Sequence, residues 1–293
     1  MSRQKTNKSK FPPWLRVQVK CGSAREEITE ILDNLQLNTV CREAKCPNMA
    51  ECWHKRTATF MIMGKECTRN CKFCGVSNQS PKNLEKDEPL RVAKAAYKMQ
   101  LKYVVITSVT RDDLHDGGAK HFATTIREIK KLLPTSGVEV LTPDFMGKRE
   151  LLDIVFNASP TVFNHNLETV KRLSPIIRPD ADYERSLNVL KYAHSYENRS
   201  FLVKSGLMVG LGETDEEINE TIEKLALSGV EILTIGQYLP PTENHYPLNR
   251  YVHPDKFKEW KEFALKTGIK KVFSAPLVRS SYMADSLVED LLS

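Results

Sequence analysis

The sequence predicts an α/β protein, a partial (β/α) TIM-like barrel of about six strand–helix units with N- and C-terminal extensions. Two observations lead there. Apolar strand-like runs alternate with helix-periodic segments along most of the chain, the pattern of a parallel sheet covered by helices. The alternation occupies about 220 residues, more than a small doubly wound domain needs and close to the size of a full or partial barrel. No internal repeat or low-complexity segment interrupts it.

The elements follow in order. Thr57 to Met63 reads as a first strand, Glu88 to Gln100 as a helix, Lys102 to Thr107 as a strand, and Gly118 to Leu133 as a helix ended by Pro134. Val138 to Leu141 is a strand, Lys148 to Phe156 a helix, Thr161 to Asn164 a strand, and Leu167 to Leu173 a helix. After a loop containing Pro175 and Pro179 come a helix over Asp182 to Tyr196, a strand over Phe201 to Val209, and a helix over Asp215 to Leu227 begun by Thr214. The strand Glu231 to Ile235, a helix around Trp260 and a short strand over Lys271 to Phe273 complete the pattern. The expected division is 1–55 as an N-terminal extension, 56–274 as the barrel and 275–293 as a C-terminal extension.

Of the 293 residues, 41% are apolar and 27% charged, as in soluble globular proteins. The longest apolar runs, such as Tyr103 to Ile106 and Leu207 to Val209, fall far short of the roughly 20 residues that span a bilayer, so no membrane partner is expected. The N-terminal MSRQKTNKSKFPPWLR is basic and lacks the apolar core of a secretory signal. A cytoplasmic location is the expectation, although an organellar presequence shares that basic, acid-poor character. The net charge of +6 is spread along the chain rather than gathered in blocks. It favours an acidic partner: nucleic acid, an acidic protein domain or an anionic cofactor.

Cysteine placement is more informative. Seven cysteines are present and none follows Cys74. Cys21 stands alone and reads as a free structural thiol; the others form two triplets, Cys41-x4-Cys46-x5-Cys52 and Cys67-x3-Cys71-x2-Cys74. A long chain without a secretion signal and with its cysteines in one segment is a poor disulfide scaffold. The stretch CTRNCKFC, Cys67 to Cys74, follows the first strand directly. It therefore lies at the C-terminal edge of the sheet, where parallel α/β proteins place their active sites. Three thiols in a loop suit a zinc ion completed by a histidine, His54 or His115. They also suit a four-iron cluster with one iron left open to a substrate or cofactor.

The CX3CX2C spacing, with the aromatic Phe73 just before the third cysteine, resembles the signature of the radical S-adenosylmethionine (SAM) superfamily. The first triplet, in NTVCREAKCPNMAECW and fifteen residues upstream, resembles the auxiliary-cluster motif of the lipoyl synthase family. Further similar segments are FPPWLR, TSVTRDDLHDGGAKHF, TPDF, FNHNLETV, RPDADYERSL, KSGLMVGLGE, IGQYLPPT and VRSSYMAD, so the resemblance covers nearly the whole chain.

That resemblance implies two 4Fe–4S clusters. Cys67, Cys71 and Cys74 would hold the one that binds and reductively cleaves S-adenosyl-L-methionine. Cys41, Cys46, Cys52 and Ser281, with Ser280 the lesser alternative, would hold a sacrificial one. It also implies a sulfurtransferase reaction, insertion of sulfur at carbons 6 and 8 of an octanoyl group on a carrier-protein lysine, with two SAM spent. Oxygen is a poorer partner than thiolate for a soft iron–sulfur centre, so a serine corner is the easier one to release. No acid–base pair is called for, so no catalytic residue beyond the cluster ligands is assigned. Residues that face SAM by the same likeness are Phe73, Asp116, Gly117, Asn164, Arg178, Met208 and Gly210, with His165 beside Asn164. Each has a local use as well: turn, helix cap or surface charge. The implied partners are octanoylated lipoyl domains of 2-oxoacid dehydrogenase E2 subunits and the glycine-cleavage H protein, an electron donor such as ferredoxin or flavodoxin, and iron–sulfur carriers. Lipoyl domains are commonly acidic, which gives the basic bias a use. Nucleic acid is not an expected partner. Two other readings compete: a different sulfur-inserting or methylthio-transferring radical enzyme, and a zinc-stabilised nucleic-acid-binding protein, which calls for a basic–aromatic stripe that the sequence lacks.

Overall fold

A computed structural model describes residues 11–15, 23–43, 46, 48–54, 59–281 and 284. Cys21, the Thr57-Ala58 start of the expected first strand, and Tyr282 lie outside the described residues. The chain enters through a turn of 3-10 helix (Pro13–Leu15), then α1 (Ser23–Asn34), β1 (Asn38–Thr39), α2 (Val40–Glu43) and α3 (Met49–His54). Six strand–helix units follow: β2 (Thr59–Ile62) with α4 (Glu88–Lys98), β3 (Tyr103–Ser108) with α5 (Ala119–Leu132), and β4 (Gly137–Leu141) with α6 (Arg149–Phe156). After β5 (Val162–Asn164) come α7 (Ser174–Ile177) and α8 (Tyr183–Ser195), then β6 (Leu202–Val209) with α9 (Asp215–Leu227), β7 (Ile232–Gln237) with α10 (Pro254–Lys266), and β8 (Lys271–Ser274).

The strands lie side by side in chain order, β1 to β8, and the sheet does not close. Strands β2 to β8 are parallel, and β1 joins β2 antiparallel. Strands β2, β5 and β7 are buried along their whole length, as parallel strands with helices on one face and a filled interior on the other should be. The helices start where local chemistry favours it. Thr214 and Glu217 form a capping box at α9, each side chain bonding the other's backbone N–H. Asp182 caps α8 by accepting from Arg185 N–H at 2.6 Å. Gly118, at φ +86°, opens α5 so close to β2 that an added Cβ would fall 2.2 Å from Met63 Sδ; only glycine fits there without strain.

One expected element is absent. The helix over Leu167 to Leu173 does not form, because the segment extends the sheet instead. Leu167 N–H donates to Ser205 Oγ at 3.2 Å. Glu168, at φ +70°, pairs with β6, its N–H donating to Gly206 O at 3.0 Å and its C=O accepting from Met208 N–H at 2.8 Å. A left-handed residue with two sheet bonds interrupts any helical path, and only the single turn of α7 follows.

Inside the barrel Lys204 of β6 and Glu139 of β4 form an ion pair, both side chains fully excluded from solvent. Lys204 Nζ lies 2.8 and 3.0 Å from the two carboxylate oxygens, and Asn164 Nδ2 and Tyr103 OH also donate to Glu139. Removing one buried partner leaves the other charge uncompensated. Lys204→Met is therefore expected to lower unfolding free energy by about 3–5 kcal/mol, and the double change with Glu139→Leu to recover most of that loss, read by denaturant titration.

After β8 the chain turns back across the C-terminal end of β7, where Ala275 N–H bonds Ile235 O and Gln237 N–H bonds Pro276 O. It then reaches the far edge of the open sheet: Leu277 O accepts from Asn48 Nδ2 at 2.6 Å, and Ser281 Oγ accepts from Thr59 Oγ1 of β2 at 2.8 Å. Among the described residues no helix is long and apolar enough to cross a membrane.

Candidate active site

The loop of residues 63–87 leaves β2 carrying Cys67, Cys71 and Cys74. Its first residue, Met63, sits at φ +69°. Glu88 at the start of α4 stabilises that conformation by accepting Met63 N–H at 2.8 Å, while its carboxylate also meets His121 Nε2 at 2.7 Å. Beyond this point the loop hangs on its neighbours. Thr68 N–H donates to Thr110 O at 3.0 Å, Lys72 N–H to Ile177 O at 2.8 Å, and Lys72 O accepts from Tyr246 N–H at 2.8 Å. Asn70 N–H donates to Asp180 at 3.0 Å and His245 Nε2 lies 3.0 Å from Cys74 O. Segments following β3, β5 and β7 thus converge on one stretch of eight residues, which makes the thiol positions a property of the whole barrel mouth.

Arg69, between the first two cysteines, anchors the loop electrostatically. Buried itself, it donates to both oxygens of Asp112 at 2.7 and 3.0 Å and to Asp144 Oδ1 at 2.7 Å. Asp144 is fully excluded from solvent and also accepts from Arg185 Nε at 2.8 Å. Burial alone would raise the Asp144 carboxyl; the hydrogen bonds and charge of Arg69, helped by Arg185, overcome it and hold the group well below the usual carboxylate range.

These three cysteines form no disulfide, and neither do Cys41, Cys46 and Cys52. Burial raises the Cys71 thiol, with the Arg178 charge pulling it back, and pushes Cys74 up to about 12 against the backbone N–H of Val76. Thr110 N–H donates to Cys67 Sγ at 3.2 Å. Desolvated thiols met by backbone N–H groups suit ligands that lose their protons to a cationic metal centre. For a mononuclear zinc site, His115 is exposed and the His54 side chain lies outside the described residues. Among the described residues no three His, Cys, Asp or Glu side chains are gathered to hold a single ion.

The first triplet has its own surroundings. Cys46 N–H donates to Cys41 O at 3.2 Å, and Cys52 N–H to Asn48 O at 2.9 Å, which folds the triplet on itself. Burial raises the Cys41 thiol, opposed chiefly by the Thr59 backbone. Thr59 thus touches Cys41 through its backbone and Ser281 through its hydroxyl. The half-buried Arg279 guanidinium, whose proton is disfavoured by desolvation, lies within electrostatic reach of Cys46. Arg279 and Ser281 therefore lie beside cysteines more than two hundred positions earlier in the chain. Ser280 points elsewhere, accepting from Asn166 Nδ2 at 2.6 Å.

The residues expected near SAM divide into two groups. Asn164 is fully buried, with Nδ2 on Glu139 and Oδ1 without a partner. Arg178 is buried, donates to Leu167 O at 2.9 Å, and keeps Nε unpartnered. Met208 is tied to Glu168 by its backbone, and Phe73 packs against the core. Of these, Arg178 reaches the thiol loop, its charge acting on Cys71. Asp116, by contrast, caps α5, accepting from Gly118 and Lys120 N–H at 3.1 and 3.2 Å. Gly117 faces the Phe145 ring. Gly210 N–H is taken by Glu213 at 2.6 Å, and His165 is enclosed between Thr142 O and Ser186 Oγ. Burial lowers His165 to about 4, so it is neutral at physiological pH.

Sequence reasoning passed over Arg69, Asp144, Asn166 and Glu168. Half-buried Glu168 accepts from Asn166 Nδ2 at 3.0 Å; burial raises its carboxyl against the pull of Arg178, and its charge reaches Cys71 and Cys74. The available signal was the run of polar residues directly after a buried strand, FNHNLE.

A family model described as the radical SAM superfamily matches residues 61–225. Barrel, thiol loop and match together define a radical SAM protein, a class that works with SAM and a 4Fe–4S cluster. A second model, the N-terminal domain of lipoyl synthase, matches residues 1–46. The lipoyl synthase of Caldicellulosiruptor saccharolyticus is 53% identical over 277 residues, covering 94% of this chain and 97% of the relative. That of Rubrobacter xylanophilus is 53% identical over 288 residues, covering 98% and 89%. The chain belongs to the lipoyl synthase family. Solved structures share the fold alone: methylornithine synthase at a TM-score of 0.54 and 13% identity, covering 94% of this chain and 93% of that one. Streptococcus suis SuiB bound to S-adenosylmethionine reaches 0.58 at 12% identity, covering 78% of this chain and 53% of that one. This relationship sets aside the zinc-stabilised nucleic-acid-binding alternative.

Proposed function

We propose that this chain inserts two sulfur atoms, at carbons 6 and 8, into an octanoyl group carried on a protein lysine, using SAM and two 4Fe–4S clusters. Cys67, Cys71 and Cys74 hold one cluster and leave an iron for SAM; Cys41, Cys46, Cys52 and Ser281 hold the other. The observation that carries the second site is Thr59, which meets the Cys41 thiol through its backbone and the Ser281 hydroxyl at 2.8 Å. When bound, the first cluster supplies the electron that splits SAM to methionine and the hydrogen-abstracting 5′-deoxyadenosyl radical, and the second supplies sulfur.

The chain's own residues bind, orient and enclose. Arg69, clamped by Asp112 and Asp144, keeps the thiol loop rigid. Arg178 brings a buried positive charge beside Cys71 with an unpartnered Nε, suited to a carboxylate. Asn164 Oδ1 and Asn166 Oδ1 are buried acceptors without donors, suited to hydroxyl or amino groups. Phe73, Asp116, Gly117, Met208 and Gly210 complete the proposed SAM surroundings. The partners proposed are octanoylated lipoyl domains and the glycine-cleavage H protein, with a ferredoxin or flavodoxin as donor, iron–sulfur carriers for cluster supply, and the cytoplasm as the place of action.

Anaerobic reconstitution followed by mass spectrometry of an octanoyl-lysine peptide incubated with SAM and reductant tests the reading. About eight irons per chain and two added sulfurs are expected. A chain that cleaves SAM but adds no sulfur would overturn it.

A further inference from the structure

Two adjacent serines at the end of the described chain face different sites. Ser281 Oγ meets Thr59, next to Cys41. Ser280 Oγ accepts from Asn166 Nδ2 at 2.6 Å, and the same amide donates to Glu168 Oε1 at 3.0 Å. Asn166 also offers its backbone C=O to Arg178 Nη1 at 3.4 Å. Both Glu168 and Arg178 act electrostatically on Cys71. Asn166 therefore stands between the thiol loop and the C-terminal segment. Space for it is provided by β6: a Cβ on Gly206 would fall 2.8 Å from Asn166 Oδ1, closer than real Cβ contacts come.

We infer that Ser280 is a positioning residue that pins the C-terminal segment to Asn166 at the barrel mouth, setting the place of Ser281 and keeping the segment there when Ser281 lets go of its iron. This rests on the assignment of Ser281 as fourth ligand of the second cluster. Consecutive Cα atoms are about 3.8 Å apart, so a pin at one serine confines its neighbour to a small volume. An unpinned chain end would have to recover that position from a much larger set of conformations each time the ligand re-forms. Bonds from one amide to Ser280 and Glu168 also give the two cluster sites a shared contact, so a shift on one side is felt on the other.

The test is iron release to a chelator from the reconstituted full chain, without turnover. Wild-type protein should hold about eight irons; the phase belonging to the second cluster is identified with Cys67→Ala protein, which keeps only those irons. Losing one hydrogen bond should speed that phase by about threefold to tenfold in Ser280→Ala, and Ser280→Thr, which keeps the hydroxyl, should restore the wild-type rate. Because Ser280 acts through Ser281, the double variant Ser280→Ala/Ser281→Ala should match Ser281→Ala alone, whereas a purely structural role would add to it. Release from Ser280→Ala at the wild-type rate, or additive effects in the double variant, would overturn the inference. Wild-type protein that holds only about four irons would instead overturn the second cluster itself, before any variant is made.

Discussion

Replacing Cys71 by alanine is expected to abolish SAM cleavage and to lower reconstituted iron from about eight to about four per chain. Loss of an outer partner of a metal site typically costs 10–100-fold, so removing a ligand should exceed about 100-fold. Cys71 is the most informative of the three. It lies at the centre of CTRNCKFC, next to Lys72, whose backbone is held from both sides by Ile177 and Tyr246, so its loss should leave the loop path unchanged. Iron counting, the low-temperature resonance spectrum of the reduced protein and the yield of 5′-deoxyadenosine read the result together. A variant that still produces 5′-deoxyadenosine at the wild-type rate would remove this thiol from the centre.

Replacing Ser281 by alanine should separate the two halves of the reaction. Sulfur insertion is expected to fall to background, a loss of more than about 100-fold by the same reasoning, while SAM cleavage continues. The separation follows from geometry: Ser281 meets Thr59, whose backbone meets Cys41, whereas the thiol loop is fixed by Thr110, Ile177, Asp180 and Tyr246. No bond of the second set involves the C-terminal segment. If sulfur insertion and SAM cleavage both persist, another group completes the second cluster. Mass spectrometry of the peptide product and assay of 5′-deoxyadenosine on the same samples distinguish the outcomes.

Strand and helix identities were largely legible because they depend on neighbours a few positions away. The capping residues Thr214 and Asp182, the largely apolar β2 and the helical period of α5 all carry their structure in short windows. The Leu167 to Leu173 segment was not legible. Its sequence tolerates a helix, and the partner that forbids one, the Gly206 to Met208 backbone, lies nearly forty positions away. The supports of the candidate site were hidden for the same reason. Arg69, Asp112, Asp144 and Arg185 are ordinary loop and helix charges until the barrel brings four connections together.

By itself, then, the sequence determined the alternating barrel, the thiol loop at the C-terminal end of its first parallel strand, and the two triplets whose spacing marks the family. Thiol spacing within one loop is local and survives in the linear text. Tertiary structure alone decided that Ser281 meets Thr59 beside Cys41, that Ser280 turns to Asn166, and that Glu168 and Arg178 stand near Cys71. Those contacts exist because the sheet does not close, so the segment after β8 can reach the β1–β2 end of it, and the packing of an entire barrel sets which residues arrive there.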